Sequence, residues 1–450
     1  MKLTTLSTAM ILATIPMTGA FAAAMDRSGQ PISAFLQPGN YFEAGISVLD
    51  PTVTGQEISA LGGDNIDNMG SDYYFPGAAL KFQVNDQFSV GFLYDQPFGA
   101  KAQYKGENAF VASNQDIILS SLPSITTDLL EKKGLPIPEG ATSVKVDTQS
   151  FSFLMGYQPN ANWNFYAGPV YQTIKADVSL RGSAYSAYNG YDAHIKENGD
   201  WGWLAGLAYQ IPEIALKASL TYRSKIDYSF NADENLALAD SLLAALPELS
   251  NKIGNLPPAE QLKIANAIKG LAAANNASGT TKLSTPQSVN FDFQTGIMED
   301  TVAFANIRWV HWKDFAIQPY KFGAASQIVG SLVGKPNGFN LVEYSKDQWS
   351  ISTGLGRKFT DQWAGNFSIG WDSGAGNPVT TLGPTKGYWS LGLGGQYSPA
   401  KDYFIQAGVR YFWLGDAKAQ TGAQAGTSNY VATFDKNHAL GYMMKIGYRF

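Results

Sequence analysis

From about Tyr41 onward, apolar positions alternate with small or polar ones, a period of two that belongs to strands with unlike faces. In the last segment Tyr442, Met444, Ile446, Tyr448 and Phe450 share one face, while Lys445, Gly447 and Arg449 take the other. The strand candidates come in pairs. Tight polar turns fall at Asn85-Asp86, Asn160-Ala161-Asn162, Ile211-Pro212-Glu213, Glu299-Asp300, Thr360-Asp361 and Pro399 to Asp402. Between them lie long connections, Gly55 to Gly70, Lys105 to Ser143, Arg181 to Asn198, Asn231 to Ser284, Ala324 to Val342, Ser373 to Lys386 and Asp416 to Phe434. Short turns alternating with long loops in these numbers imply about 14 strands with both chain ends on one side, the plan of a single-chain outer-membrane barrel.

A sandwich core would also accept such strands, and the N-terminus separates the two readings. Lys2 is followed by a largely apolar stretch, Leu6 to Phe21, and then by Ala22, Ala23 and Ala24. This predicts a cleaved export signal over 1–24. Nothing later supplies another apolar run of about 18 residues. An exported chain of alternating strands that ends on Phe450 resembles bacterial outer-membrane barrels, whose last strand is the handle for the barrel-assembly machinery. Segments such as Trp349 to Leu355, Phe367 to Trp371 and Val409 to Trp413 mix aliphatic residues with Trp and Tyr, which favour bilayer interfaces. The expected fold is therefore all-β: a transmembrane antiparallel β-barrel over 41–450, with helical insertions in outer loops.

Composition agrees. Only 15% of residues are charged and 13% are aromatic, with 46 Gly. No Cys is present, so disulfides, Cys-ligated zinc and a Cys nucleophile are excluded. The net charge of −5 speaks against nucleic acid as a partner. His194, His311 and His438 are far apart with no metal-binding spacing, and no nucleophile elbow or phosphate-binding loop is found. Gly354-Leu355-Gly356 and Gly392-Leu393-Gly394-Gly395 lie within alternating strands and read as strand glycines. No enzyme activity, catalytic residue, metal or cofactor is expected.

Two loops read as helical. Asn114 to Leu122 and Ser124 to Gly134 form one candidate pair, with Ser124 as N-cap; Leu236, Ala239, Leu243 and Leu246, then Ile264, Ile268 and Leu271, form stripes in the other loop. Such stripes pack on each other or the rim, or else shape an outward apolar groove. The third strand candidate starts regularly at Phe88, Val90, Phe92 and Tyr94 and is then interrupted by Gln96-Pro97-Phe98-Gly99. Proline cannot donate to a ladder. The interruption is either a rim bulge or an inward kink that opens the wall, and a wall opening in lipid must be covered by protein or line a cavity.

With that interruption the chain resembles the FadL family of outer-membrane transporters for long-chain fatty acids and other hydrophobic compounds. The matching pieces are Asp86 to Gly99, Trp201-Gly202-Trp203 to Tyr209, Ala218 to Tyr228 with Leu220-Thr221-Tyr222-Arg223-Ser224, Thr285-Pro286 to Phe293, Ala303 to Phe315, and the strand to Phe450. The resemblance implies an apolar groove among outer loops, a lumen pocket, and a lateral exit into outer-membrane lipid at the kink formed by Pro97, Phe98 and Gly99. It implies Phe35 and Leu36 as plug residues touching the ligand, with packing against the first strand as the other reading. It also places head-group cations near Lys175 and Lys321, which solvated lumen lysines would equally explain. The resemblance also implies an N-terminal plug, here short, over 25–40, in which Gln37-Pro38-Gly39 stands where the family carries Asn-Pro-Ala. The expected activity is passive uptake of hydrophobic molecules, long-chain fatty acids first among them. Aromatic-hydrocarbon uptake, a structural or adhesion barrel whose outer loops bind host or phage, and an aqueous porin are the rivals.

Overall fold

A computed structural model describes residues 25–118, 124–331 and 334–450. The expected export signal, 1–24, lies outside the described residues, as does the end of the Asn114 to Leu122 segment. Among the described residues, fourteen strands form one closed antiparallel barrel. They are β1 Tyr41–Thr52, β2 Tyr73–Gln83, β3 Phe88–Asp95, β4 Ser143–Tyr157, β5 Trp163–Leu180, β6 Tyr191–Ile211 and β7 Leu216–Arg223. The second half comprises β8 Ser288–Met298, β9 Thr301–Val310, β10 Gln348–Lys358, β11 Trp363–Asp372, β12 Tyr388–Tyr397, β13 Tyr403–Leu414 and β14 His438–Arg449. Each pairs with its neighbours in sequence, and β14 returns to β1 along the register Tyr41↔Arg449 to Thr52↔His438.

Alternation sorts the side chains. Leu355, Phe367, Leu393 and Met444 point outward and exposed, whereas Gln348, Asp372, Gln396 and Gln406 are buried in the lumen. Two aromatic rows bound the lipid-facing band. The outer row includes the facing pairs Trp309↔Trp349, Trp371↔Trp389 and Trp389↔Trp413. The inner row includes Trp363↔Tyr397 and Tyr403↔Tyr448. On β11 the rows stand at Trp363 and Trp371. At ~3.3 Å per residue that is about 26 Å of strand, or ~20 Å of height at a tilt of ~40°, close to the hydrocarbon band such barrels present. β5 with 18 residues and β6 with 21 outrun a bilayer crossing and project outward. No helix among the described residues is long and apolar enough to cross a membrane.

The outer loops hold the helices. α1 covers Thr127–Glu131, shorter than the Ser124 to Gly134 expectation and preceded by Thr126 instead of Ser124. Asn114 to Ile118 is not helical: Ile117 bridges Thr126 as extended chain. α2 Ala237–Ala244, α3 Leu246–Lys252 and α4 Pro258–Asn275 follow. Leu238, Ala239 and Leu242 are the buried face of α2 and Leu243 is exposed, one position off the expected stripe; Ile264, Ile268 and Leu271 of α4 are buried as expected. With Ile118, Ile125 and Leu130 these helices form a small second core outside the barrel. A further helix, α5 Tyr320–Gly330, arises where a plain loop was expected.

Candidate lateral gate and apolar cavity

The wall is broken along one seam. Ala78 to Gln83 of β2 pair with Ser89 to Tyr94 of β3, but Tyr73 to Gly77 pair only with β1 among the described residues. The reason is Gln96-Pro97-Phe98. Asp95 faces Ser150 and Gly99 faces Asp147, so three residues of the interrupted strand stand against two of β4. That is a bulge, which re-aims the chain. The strand resumes as Gly99–Gln103 against β4 alone, and the seam closes again at the bridge Gly70↔Ala102.

Each residue of the interruption has a distinct place. Thr148 Oγ1 accepts from the Phe98 N–H at 2.9 Å and donates to its carbonyl at 2.6 Å, so a side chain satisfies the Phe98 backbone, and Asp26 lies opposite it in an isolated antiparallel bridge. The Phe98 ring turns inward and meets Trp312 edge-on at 5.5 Å. The Pro97 carbonyl accepts the Arg27 N–H at 2.7 Å, and the Gly99 N–H donates to the Met25 carbonyl at 2.8 Å. The N-terminal segment therefore lies along the kink from the lumen side.

Arg27 fills the break. Its guanidinium sits 4.0 Å over the Tyr73 ring of one lip, 3.8 Å from Asp147, and against Gly99 of the other lip, where a Cβ would come within 2.1 Å of Cζ. Burial pulls its pKa down, opposed by Tyr73 and Asp147. Next to it, Asp26 is paired with Arg308 of β9 at 2.7 Å; both are buried, and Arg308 also donates to Asn290 at 2.6 Å. Ser28 donates to Asp95 at 2.5 Å.

Further along the same segment, Phe35 is wholly buried and packs edge-on to Tyr166 at 5.9 Å, seated over Gly91 and Gly156. Leu36 and Gln37 are tied through their carbonyls to Lys217 and Lys81, each at 2.6 Å. Leu36 lines a wide vestibule of about 930 Å³ on the periplasmic side, walled by both apolar and polar side chains.

Above the break lies an apolar cavity of about 60 Å³, walled by Val144 and Val146 of β4, Val178 of β5 and Ile195 of β6, roofed by Leu341 and Leu382, and floored by Met25, Asp26 and Gly99. Such a volume is below the ~150 Å³ that holds one benzene ring. The structure brings Gly99 to this cavity and sets Pro97 and Phe98 beside it, with Phe35 and Leu36 lower in the lumen. The two lysines are elsewhere, and their expected place in the lumen is corrected. Lys175 is exposed on the outside of β5, with the parity of Tyr171 rather than of buried Ile174 and Ala176. Lys321 begins α5, and its ammonium is spent on the Asn275 carbonyl at 2.5 Å at the end of α4. Met25 and Arg27 were missed; nothing in the sequence pattern singles them out, because their partners come from distant strands.

A family model described as outer membrane protein transport protein (OMPP1/FadL/TodX) matches residues 133–450. The chain belongs to this family. It is an outer-membrane barrel of a family that takes up hydrophobic compounds. Among solved structures, a Pseudomonas aeruginosa FadL homologue is 14% identical with a TM-score of 0.63, covering 93% of this chain and 92% of that one. The P. putida toluene transporter TodX is 12% identical with a TM-score of 0.56, covering 93% and 91%. The Ralstonia pickettii toluene transporter TbuX is 13% identical with a TM-score of 0.54, covering 98% of each chain. No curated protein sequence matches. At these identities the likeness of this family member to the solved barrels is one of fold.

Proposed function

We propose that this barrel passes hydrophobic small molecules from its outer loops through the apolar cavity and sideways into the bilayer between β2 and the resumed third strand. What supports the reading is that Tyr73 to Gly77, paired with β1, do not pair with Gly99 to Gln103 across the seam, and that Arg27 of the terminal segment, joined to the kink by the single bridge Asp26↔Phe98, fills the break. Withdrawal of Met25 to Arg27 enlarges the cavity floor and frees the break in one motion. Burial drives the ligand, at about 0.8 kcal/mol per CH₂, and lateral release keeps it out of the aqueous periplasm.

The cavity favours an uncharged compound. Asp26 stands at its floor, and Lys101, the lysine of its lining, has its ammonium on the Asp72 carbonyl at 2.7 Å. An aromatic or alkyl hydrocarbon therefore ranks first and a long-chain fatty acid second, with its carboxylate left toward the loops. Mass spectrometry of extracts from the purified barrel, followed by competitive titration with toluene and oleate, tests the reading. Displacement by toluene supports it, and displacement by oleate alone selects the fatty acid. A barrel indifferent to both ligands and lacking uptake sinks transport in favour of an adhesion role.

A further inference from the structure

The lipid-facing wall away from the seam carries an unexplained charge. On β9 to β14, the outward positions between the aromatic rows are apolar or small and uncharged except for Arg357. It lies just before the periplasmic turn that Thr360 and Asp361 make, one pleat above the row of Phe359, Trp363 and Tyr397. Its Nη1 donates to Thr301 Oγ1 at 3.3 Å and touches Met298 Sδ at 3.8 Å, both neutral. Among the described residues no carboxylate comes within 4.0 Å of it. An unpaired guanidinium facing hydrocarbon is costly unless it reaches a head group.

Beside Arg357 the wall is hollow. The register Arg357↔Gly365↔Gly395↔Ala407 places three small residues in a row across adjacent strands. Phe367, Leu393 and Val409 rise on the outer side of that row and the Phe359 ring covers Gly365, where a Cβ would come within 2.9 Å of it, leaving a groove of about 690 Å³ in the outside of the barrel that is open over Gly395 and Ala407. An apolar trough of this kind, ending at one fixed cation at interfacial depth, matches one kind of molecule in its surroundings: an acyl chain joined to an anionic group. The depth is that of the periplasmic leaflet.

We propose that this groove binds a phospholipid of the periplasmic leaflet, with the phosphate on Arg357 and one acyl chain passing the Phe359 ring to lie over Gly395 and Ala407. Chain and charge each select. The trough excludes a bulky or branched neighbour, and bidentate N–H donation favours phosphate over a neutral head.

Two variants probe the two halves separately. Arg357→Gln removes the charge. Gly395→Leu fills the trough, and since a Cβ there meets nothing within 4 Å, it does so without strain in the wall. The full barrel is stripped in detergent, titrated with phosphatidylglycerol, phosphatidylethanolamine or phosphate-free diacylglycerol, and weighed by native mass spectrometry. Heat-modifiable gel mobility checks folding, and Ile351→Leu, on the outer half of the same face, serves as control. The expected result is one tightly held phospholipid in the wild type and the control, no comparable retention of diacylglycerol, and at least tenfold weaker retention in each variant. Unchanged retention in either variant overturns the proposal, as does equal retention of diacylglycerol. A wild-type dimer that Gly395→Leu converts to monomer also overturns it, because the groove would then seat a second copy of this chain.

Discussion

The seam between β2 and the third strand and the wall from β9 to β14 use the same alternation, yet they handle lipid in opposite ways. From β9 to β14 every strand keeps an unbroken register of about ten pairs with the next, and even the Gly-rich stretches of β12 stay in ladder. At the seam, five residues of β2 lack a second strand partner among the described residues, and the break is stopped by side chains and the N-terminal segment instead. A continuous ladder cannot be opened without unsatisfied backbone in hydrocarbon, at several kcal/mol per group. At the break Thr148 holds both backbone groups of Phe98 whatever the terminal segment does, so moving that segment frees only the Pro97 carbonyl and the Gly99 N–H instead of a whole ladder.

The comparison is broken most severely by making the seam resemble the far wall. Replacing Gln96 to Gly99 with an alternating strand sequence, Pro97→Val and Gly99→Thr included, should abolish uptake of labelled hydrocarbon while surface-exposed barrel, measured by whole-cell labelling, stays at wild-type level. Unchanged uptake would remove the lateral route. Next in size, Asp26→Ala leaves Arg308 buried without its carboxylate. Loss of one partner of a buried pair costs about 3–5 kcal/mol, here charged to seating of the plug. Limited proteolysis should then cut near the N-terminus, and planar-bilayer recordings should show openings that the wild type lacks. A smaller effect is expected from Phe98→Ala, which empties the contact with Trp312; a buried Phe→Ala change costs about 3 kcal/mol, read as a lower melting temperature together with altered uptake rate.

The smallest effect sharpens the link between the seam and the outer loops. His311, next to Trp312, stands 3.0 Å from Asp314 and 2.9 Å from Asp347. Burial opposes its charge, but the two carboxylates win and its pKa is raised; Asp347 is lowered, the Lys313 N–H and His311 outweighing burial. The histidine's contribution is complete below its ordinary pKa and is lost as pH rises through the raised one. The contribution of Asp347 is lost as pH falls through its lowered one. Stability of this junction should be greatest between those limits, with an amplitude of about 1 kcal/mol or less because the pair is partly exposed, and His311→Gln should flatten the alkaline side of the melting-temperature profile.

Strand positions were legible because lipid and lumen impose unlike faces, and the interruption was legible because Pro97 lacks a donor. Its stopper was not. Arg27 meets Tyr73, Asp147 and Gly99 only once the barrel has closed around it, and no local pattern encodes that meeting. The lysines teach the reverse. Parity alone, counted from outward Tyr171, sets Lys175 on the outside, and family likeness carried it to the pocket against that count. In the loops, the one-residue offset of α2 follows from Leu236 ending a strand paired to β6 before the helix begins.

The pairing of β1 with β14 sets an order of events in the making of this protein. Glu43 meets Lys445 across 402 residues of chain, so a lipid-tight wall exists only after nearly the whole polypeptide has been delivered. The stopper segment, near the start of the chain, gains its complete enclosing wall only with that last strand. A truncated product lacking the final strand has neither a closed lumen nor a fixed compartment for its N-terminal segment to occupy, and quality control in the periplasm meets it as an open sheet with two bare edges.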